Sequence, residues 1–316
     1  MSGNERITQE LCKESEMKDG EMREIEVQGS SILLVKNNGT FSAVGNKCSH
    51  YGAPLSKGFL AGDRVRCPWH GACFNVKTGD IEEYPGLDSL PCFTVTVENG
   101  SVYIVTSKKA LENVKRVKEM TRHSASDRST VAVIGSGPAA LVCAETLRQE
   151  GYTGKIVMVT REKHLPYDRP KLSKAMNAKA EDIYLRPKEF YSQYDIEVWM
   201  EKEVVAVNTD EARLKFRDGS FLQYCQLLIA TGSRPRELQC TGSTLKNVFY
   251  LRTPEDARAI SEEATGKKVV IMGSSFIGME VAAFLSDKAS SVSVIGKSSV
   301  PFQAVLGSEI GTLAMK

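Results

Sequence analysis

Residues 48–56 read CSHYGAPLS and residues 67–75 read CPWHGACFN, and these two stretches decide how the amino-terminal third of the chain folds. Each supplies a cysteine, a histidine and a glycine in the same order: Cys48, His50 and Gly52, then, with sixteen residues between His50 and the next cysteine, Cys67, His70 and Gly71. Thiolates and imidazoles are the ligands of iron–sulfur clusters and of zinc. In a [2Fe–2S] centre with two ligands of each kind, one iron takes both thiolates and the other both imidazoles. Cys48 with Cys67 and His50 with His70 are then the expected pairs. A zinc site would draw on the same four residues, and four unrelated core residues are the plainer alternative. The chain has only four histidines and two of them fall in these boxes, which favours the cluster.

The paired boxes resemble those of Rieske domains, and their departures say which kind. In the respiratory-complex type each box carries a further cysteine that closes a disulfide beside the cluster; here those positions hold Ala53 and Trp69. The positions that bring hydroxyls near the cluster sulfurs hold Ala72 and Phe74. Fewer hydrogen bonds to the sulfurs leave the oxidised cluster relatively more stable and lower its potential. The resemblance is thus to ferredoxin-like Rieske domains served by flavin reductases. Tyr84-Pro85-Gly86 resembles the proline loop that covers the cluster in such domains, and Cys73 reads as a small buried apolar residue.

The chain has 316 residues, about two domains by length. With 41% apolar and 25% charged residues it has an ordinary globular composition. A formal charge of +2 gives no strong pull toward nucleic acid or an anionic membrane, so no nucleic-acid partner is expected. No apolar run approaches the ~18 residues of a membrane span. The polar, mixed-charge amino terminus looks like neither a secretory signal nor a transit peptide. Beyond Cys48 and Cys67, six cysteines at irregular spacing with no C-x-x-C argue against a disulfide framework and for a reducing compartment.

Short alternating runs from residue 22 onward, separated by Gly-containing turns, predict a small antiparallel β domain over 20–107. Residues 108–128 predict a charged connector, helical at first, with His123 on its surface. At 129 the pattern changes to α/β. STVAVIGSGPAALVCAETLRQEG gives strand, turn and helix, with Gly135-x-Gly137-x-x-Ala140 at the junction. Gly135 makes the tight turn, Gly137 lets the backbone approach a pyrophosphate, and Ala140 permits close helix–strand packing. A second strand, KIVMVT, ends near Glu162, positioned for an adenosine ribose. The alternatives are a purely structural turn and a solvated glutamate. Cys143, on the helix, reads as packing.

The next stretch, EKHLPYDRPKLSK (162–174), resembles the flavin reductases of the apoptosis-inducing-factor and ferredoxin-reductase group. That resemblance implies Arg169 on the FAD pyrophosphate and Lys174 near the flavin, where a cation favours the reduced anionic ring; an exposed lysine is the alternative. It also implies adenine contact at Val204 and FAD contact at Thr231 and Gly232 in LLIATGSRP. A second motif, KKVVIMGSSFIGMEVAAF, repeats the strand–turn–helix 138 residues later, counted from Gly135 to Gly273. It resembles an NAD(P)H module with Gly273, Gly278 and Glu280 as cofactor-side residues. Ser275 replaces the middle glycine, putting a side chain where backbone should approach pyrophosphate. Gly296, followed by Lys297, replaces the ribose-binding acid, which removes an NADH-favouring contact and leaves a cation for the 2′-phosphate of NADPH. The nucleotide preference is therefore open.

Together the motifs resemble the Rieske-containing apoptosis-inducing-factor-like family. The implied fold is α/β plus all-β: a Rieske β domain, then Rossmann-like FAD (129–245) and NAD(P)H (246–316) modules. The implied function is a flavin-dependent oxidoreductase that passes electrons from NADH or NADPH through FAD to a low-potential [2Fe–2S] cluster and on to an unidentified acceptor. Two alternatives stand beside it: a non-enzymatic redox-sensing protein in cell-death signalling, and a Rieske carrier domain working alone. The family points to the mitochondrion, the amino terminus to no address, so mitochondrion or cytoplasm is expected. Lacking C-x-x-C, the chain gives no support to a disulfide-reductase mechanism. The NAD(P)H module reaches only half its usual plan by Lys316, and the second FAD segment of the family is not seen. The expectation is a fragment or shortened isoform that binds FAD poorly.

Overall fold

The computed structural model describes residues 6–316. The backbone forms two compact units, one ending at Glu119 and one beginning at Met120.

The first unit is all-β apart from short helical turns. Strands β1 (Arg6–Lys13), β2 (Met22–Val27), β3 (Ser30–Asn37), β4 (Thr40–Gly45), β9 (Cys92–Glu98) and β10 (Ser101–Ser107) form one antiparallel sheet, ordered β1-β10-β9-β4-β3-β2. Strands β5 (Phe59–Ala61), β6 (Arg64–Arg66), β7 (Cys73–Asn75) and β8 (Ile81–Glu83) form a second, smaller one. The unbroken apolar run of β3 has a physical reason, because this strand feeds two cores from its alternate faces. Leu33 and Val35 pack with Cys48, Leu55, Cys67 and Phe74. Ile32 and Leu34 pack with Phe93, Val102 and Ile104 on the other side. Strand β1 lies before the expected domain start at residue 20. It is an edge strand whose RITQELCK alternates exposed and partly buried positions, so little in it reads as hydrophobic.

Helix α1 (Lys108–Glu112) opens the charged connector and is capped by Ser107, whose hydroxyl accepts from the Ala110 N–H. The connector then turns back on the β domain. Arg116 pairs backbone to backbone with Ser89 at 2.9 and 2.8 Å, and its guanidinium donates to the Leu90 and Thr78 carbonyls and to Asp80.

In the second unit, strands β11 (Thr130–Ile134), β12 (Lys155–Val159), β13 (Ile196–Trp199) and β17 (Gln226–Ile229) form a parallel sheet ordered β13-β12-β11-β17. Helix α2 (Pro138–Gln149) crosses over between β11 and β12, and α3 (Lys188–Gln193) precedes β13. Strands β14 (Val204–Asn208), β15 (Arg213–Phe216) and β16 (Phe221–Gln223) form an antiparallel meander. After α4 (Pro254–Ala264), strands β18 (Lys268–Met272) and β19 (Ser291–Ile295) pair in parallel around α5 (Phe276–Leu285), and α6 (Gln303–Leu313) follows.

Three buried charged side chains brace the parallel sheet. Glu145 on α2 holds Arg186 in a two-pronged pair at 2.8 Å for each contact. Arg148, fully buried, donates to four main-chain carbonyls, those of Tyr152, Gly154, Tyr194 and Asp195. His123, expected as a plain surface residue, is exposed but tied down: its Nδ1 lies 2.8 Å from the Thr153 carbonyl.

Candidate cofactor sites

In the β domain the two boxes are twin loops. Box one leaves β4 and box two joins β6 to β7. In each, the cysteine N–H donates to the carbonyl of an alanine five residues on: Cys48 to Ala53 at 2.9 Å, Cys67 to Ala72 at 2.8 Å. In each, a glycine N–H returns to the cysteine carbonyl: Gly52 to Cys48 at 2.8 Å, Gly71 to Cys67 at 3.1 Å. Both glycines have φ of +80°, a left-handed turn that glycine adopts without penalty. Asn46, buried just ahead of box one, fastens its far end by accepting from the Ser56 N–H.

The loops pair the expected ligands, thiol with thiol and imidazole with imidazole. The Cys48 and Cys67 thiols are buried and hydrogen-bonded to each other. Burial is the main cause that pushes the Cys48 thiol up to about 11, opposed by the His50 and Tyr51 backbone N–H groups that donate to its sulfur. The His50 and His70 rings stand 5.0 Å apart, nearly perpendicular. Among the described residues, no three His, Cys, Asp or Glu side chains gather around one point. A thiol pair and an imidazole pair suit two irons with two ligands each better than one tetrahedral zinc. Bound there, a [2Fe–2S] cluster would supply one-electron transfer.

The segment Tyr84-Pro85-Gly86 lies against this site. A Cβ on Gly86, at φ +118°, would come within 3.6 Å of the His50 Cβ and 3.7 Å of the Ser49 hydroxyl. Ser49 in turn donates to the Asp88 carbonyl at 2.6 Å, so box one holds this loop directly. Ala72 and Phe74 are fully buried and bring no hydroxyl. Cys73 is buried, and desolvation raises its thiol pKa.

In the second unit the first glycine turn sits at the carboxyl ends of the paired strands β11 and β17, the end at which parallel sheets bind ligands. Gly135 has φ +120°, and a Cβ there would lie 2.2 Å from the Ala230 carbonyl oxygen. Gly137, by contrast, would meet nothing within 4 Å. It caps α2, leaving the backbone open on the side from which an anion reaches a helix N-terminus. Ala140 is fully buried against the sheet. Thr231 and Gly232 follow β17, both exposed. Val204 packs at the edge of the cluster formed by Ala132, Val157 and Val159.

Glu162 is held from two sides, by Arg169 Nη2 at 2.6 Å and by the Tyr167 hydroxyl at 2.7 Å. Arg169 also donates to the Tyr167 oxygen and to the Arg252 carbonyl. Arg252 escaped the sequence reading. Its guanidinium reaches the Gly232 turn, where an added Cβ would lie 2.8 Å from Nη2. Burial, then the neighbouring Arg169, lower its pKa. Arg169 and Arg252 thus lie next to each other, Arg252 at the exposed glycine turn and Arg169 on Glu162. No motif announces Arg252; a cation in LRTPEDARAI just ahead of a capped helix was the only available hint.

Lys174 Nζ makes an ion pair with Glu280 at 2.9 Å. Ser173 donates to the same carboxylate oxygen at 2.5 Å. Thus Lys174, expected beside the flavin, and Glu280, expected on the NAD(P)H side, meet each other.

The second turn copies the first. Gly135 N–H donates to the Val159 carbonyl and Gly273 N–H to the Ile295 carbonyl, both at 2.8 Å, with φ of +120° and +119°. A Cβ on Gly278 would lie 1.9 Å from the Gly273 oxygen, so helix and turn meet there without room for a side chain. Ser275 takes the place of Gly137 with φ −102°, unstrained for any residue. At Gly296 a Cβ would lie 2.1 Å from the Ser274 hydroxyl, which fills the start of the space an acid would use.

Comparison with known proteins agrees with this geometry. Residues 8–94 match the Rieske [2Fe-2S] domain, and residues 129–316 match the family described as pyridine nucleotide-disulphide oxidoreductase. The chain is 50% identical over 311 residues to "Apoptosis-inducing factor 3" of Homo sapiens, covering 97% of this chain and 51% of that protein. It is 36% identical over 183 residues to "Rhodocoxin reductase" of Rhodococcus erythropolis, covering 57% of this chain and 43% of that one. The crystal structure of a ferredoxin reductase for the CYP199A2 system of Rhodopseudomonas palustris superposes with a TM-score of 0.55 at 32% identity, covering 60% of this chain and 47% of that one. The chain thus spans about half the length of the curated relatives it matches. It belongs to the pyridine nucleotide-disulphide oxidoreductase family, with a Rieske [2Fe-2S] domain at its amino-terminal end.

Proposed function

We propose that this chain carries electrons from NAD(P)H through FAD to a ferredoxin-type Rieske cluster and on to a redox acceptor. The observation that carries the reading is the pairing, on one chain, of twin thiol–imidazole loops with twin glycine turns. FAD, when bound, accepts a hydride and releases its electrons singly, which a one-electron cluster requires. The chain's own residues supply the setting. Arg169 and Arg252 offer charge to the pyrophosphate, Glu162 offers carboxylate oxygens to the ribose, and Lys174, steadied by Glu280, places a cation toward the flavin. Ser274 and Lys297 at the second turn favour NADPH over NADH, since a hydroxyl and a cation stand where an acid would repel the 2′-phosphate. Among the described residues no helix is long and apolar enough to cross a membrane. The name of the human relative suggests a cell-death setting for this electron chain.

The test uses anaerobic protein loaded with iron–sulfur cluster and FAD, followed by EPR and absorbance while NADPH or NADH is added. Reduction of the cluster by nucleotide supports the reading. A flavin-loaded protein whose cluster yields only to dithionite would overturn it and leave the Rieske domain as a separate carrier.

A further inference from the structure

The second residue after Ser49 in box one, Tyr51, has no part in ligation, yet it touches three of the four ligands. Its ring lies flat on His50, with centroids 3.8 Å apart and planes 21° from parallel. The same ring meets His70 edge-on at 5.6 Å and 82°. Its backbone N–H donates to the Cys48 sulfur. The ring is half-buried, so it covers one face of His50 that solvent would otherwise reach. The loop glycine Gly52 follows at φ +80° and returns its N–H to the Cys48 carbonyl.

We propose that Tyr51 is a positioning residue that holds the reduction potential of the cluster low. Two ferric ions, two sulfides and two thiolates sum to zero charge, so the oxidised cluster is neutral and the one-electron reduced form carries one negative charge. No bond forms or breaks; one electron enters. An imidazole bound to ferric iron bears partial positive charge, and the electron-rich face of a stacked phenol attracts it. Reduction weakens that charge and the attraction with it. The ring also keeps water from one face of the site, and water would favour the charged, reduced form. Both effects favour the oxidised state. They add to the missing sulfur hydrogen bonds at Ala72 and Phe74. The inference rests on the Rieske centre alone and is indifferent to whether flavin feeds it.

The experiment is an EPR-monitored redox titration, at one fixed pH, of the full chain with its cluster. Tyr51→Leu, which keeps apolar bulk and removes the ring, is expected to raise the reduced-to-oxidised ratio at a given applied potential about three- to tenfold. Tenfold corresponds to about 59 mV for a one-electron couple. Tyr51→Phe is expected to stay within about twofold of the parent, because the ring remains. Should Tyr51→Leu fail to take up cluster, pentafluorophenylalanine in place of Tyr51 keeps the shape and inverts the charge distribution of the face, and its potential is expected to rise above that of Tyr51→Phe. A Leu variant matching the parent, a Phe variant shifted as far as Leu, or a fluorinated ring no different from Phe each overturns the proposal.

Discussion

Gly135 and Gly137 stand two residues apart in one motif, and they fail differently when replaced. Gly135→Ala forces a Cβ onto the Ala230 carbonyl at a positive φ. It should destabilise the second unit by about 2 kcal/mol or more, read by chemical denaturation. Gly137→Ala meets open space at an ordinary φ of −80°. Its denaturation midpoint should match the parent, while FAD retention falls at least about tenfold through lost backbone approach. Equal stability losses in the two variants would contradict this division. Residues of the first kind, like Cys48, His50, Cys67 and His70, were legible because their chemistry and spacing are local. Arg252 and the stacking of Tyr51 were not, since one depends on a contact across 83 residues with Arg169 and the other on a ring orientation that no spacing encodes. The sequence shows Gly296 as a missing acid but gives no sign of the Ser274 hydroxyl that stands in its way. Gly296→Glu alone should therefore fail to favour NADH, whereas Gly296→Glu with Ser274→Gly should improve NADH affinity over NADPH, measured by calorimetric titration.

Among the elements, α4 shows how a functional segment is fastened. Its capping box, Thr253 with Asp256, fixes the N-terminus, and Glu255 in its first turn meets His164 at 2.7 Å and Lys163 at 3.1 Å. The segment 162–174 is thereby tied to α4. Although desolvation is the largest single influence on Glu255 and opposes ionisation, the His164 and Lys163 contacts outweigh it and hold the carboxyl down at about 2 against an ordinary 4.5. A depressed acid contributes stability that is complete above its unfolded pKa and is lost as pH falls through the folded value. The stability difference between the parent and Glu255→Gln should therefore be present at pH about 4.5 and vanish toward pH about 2; a difference growing with acid would refute the assignment. The buried Glu145–Arg186 pair joins α2 to the approach to α3. Glu145→Gln removes the charge that faces the buried Arg186 guanidinium and should cost about 3–5 kcal/mol in urea unfolding. Strand β3 and helix α2 could be read from their apolar patterns. Strand β1 could not, because an edge strand with one solvated side carries mostly polar residues.

For the whole molecule, composition and motif order disclosed the β-then-α/β plan, since Cys–His boxes and glycine turns are each confined to short windows. What they could not disclose was how the connector is used: Arg116 returns to pair with Ser89 and Asp80, a long-range choice with no local signal. The two tryptophans, Trp69 and Trp199, fall one in each unit, so single-tryptophan variants report the units separately. Each unit has its own apolar cores, and only the first holds the thiol–imidazole loops. Stripping iron from loaded protein should then lower the Trp69 midpoint and leave the Trp199 midpoint in place; a joint shift of both would refute it. Arg148 invites a last comparison, with a crown ether. Its charge is dissolved in a ring of four peptide dipoles, with no carboxylate among those hydrogen-bond acceptors. Dissolved salt has no counter-ion there to mask, so this joint should hold as firmly in brine as in dilute buffer, where surface ion pairs such as Arg217 with Glu203 loosen.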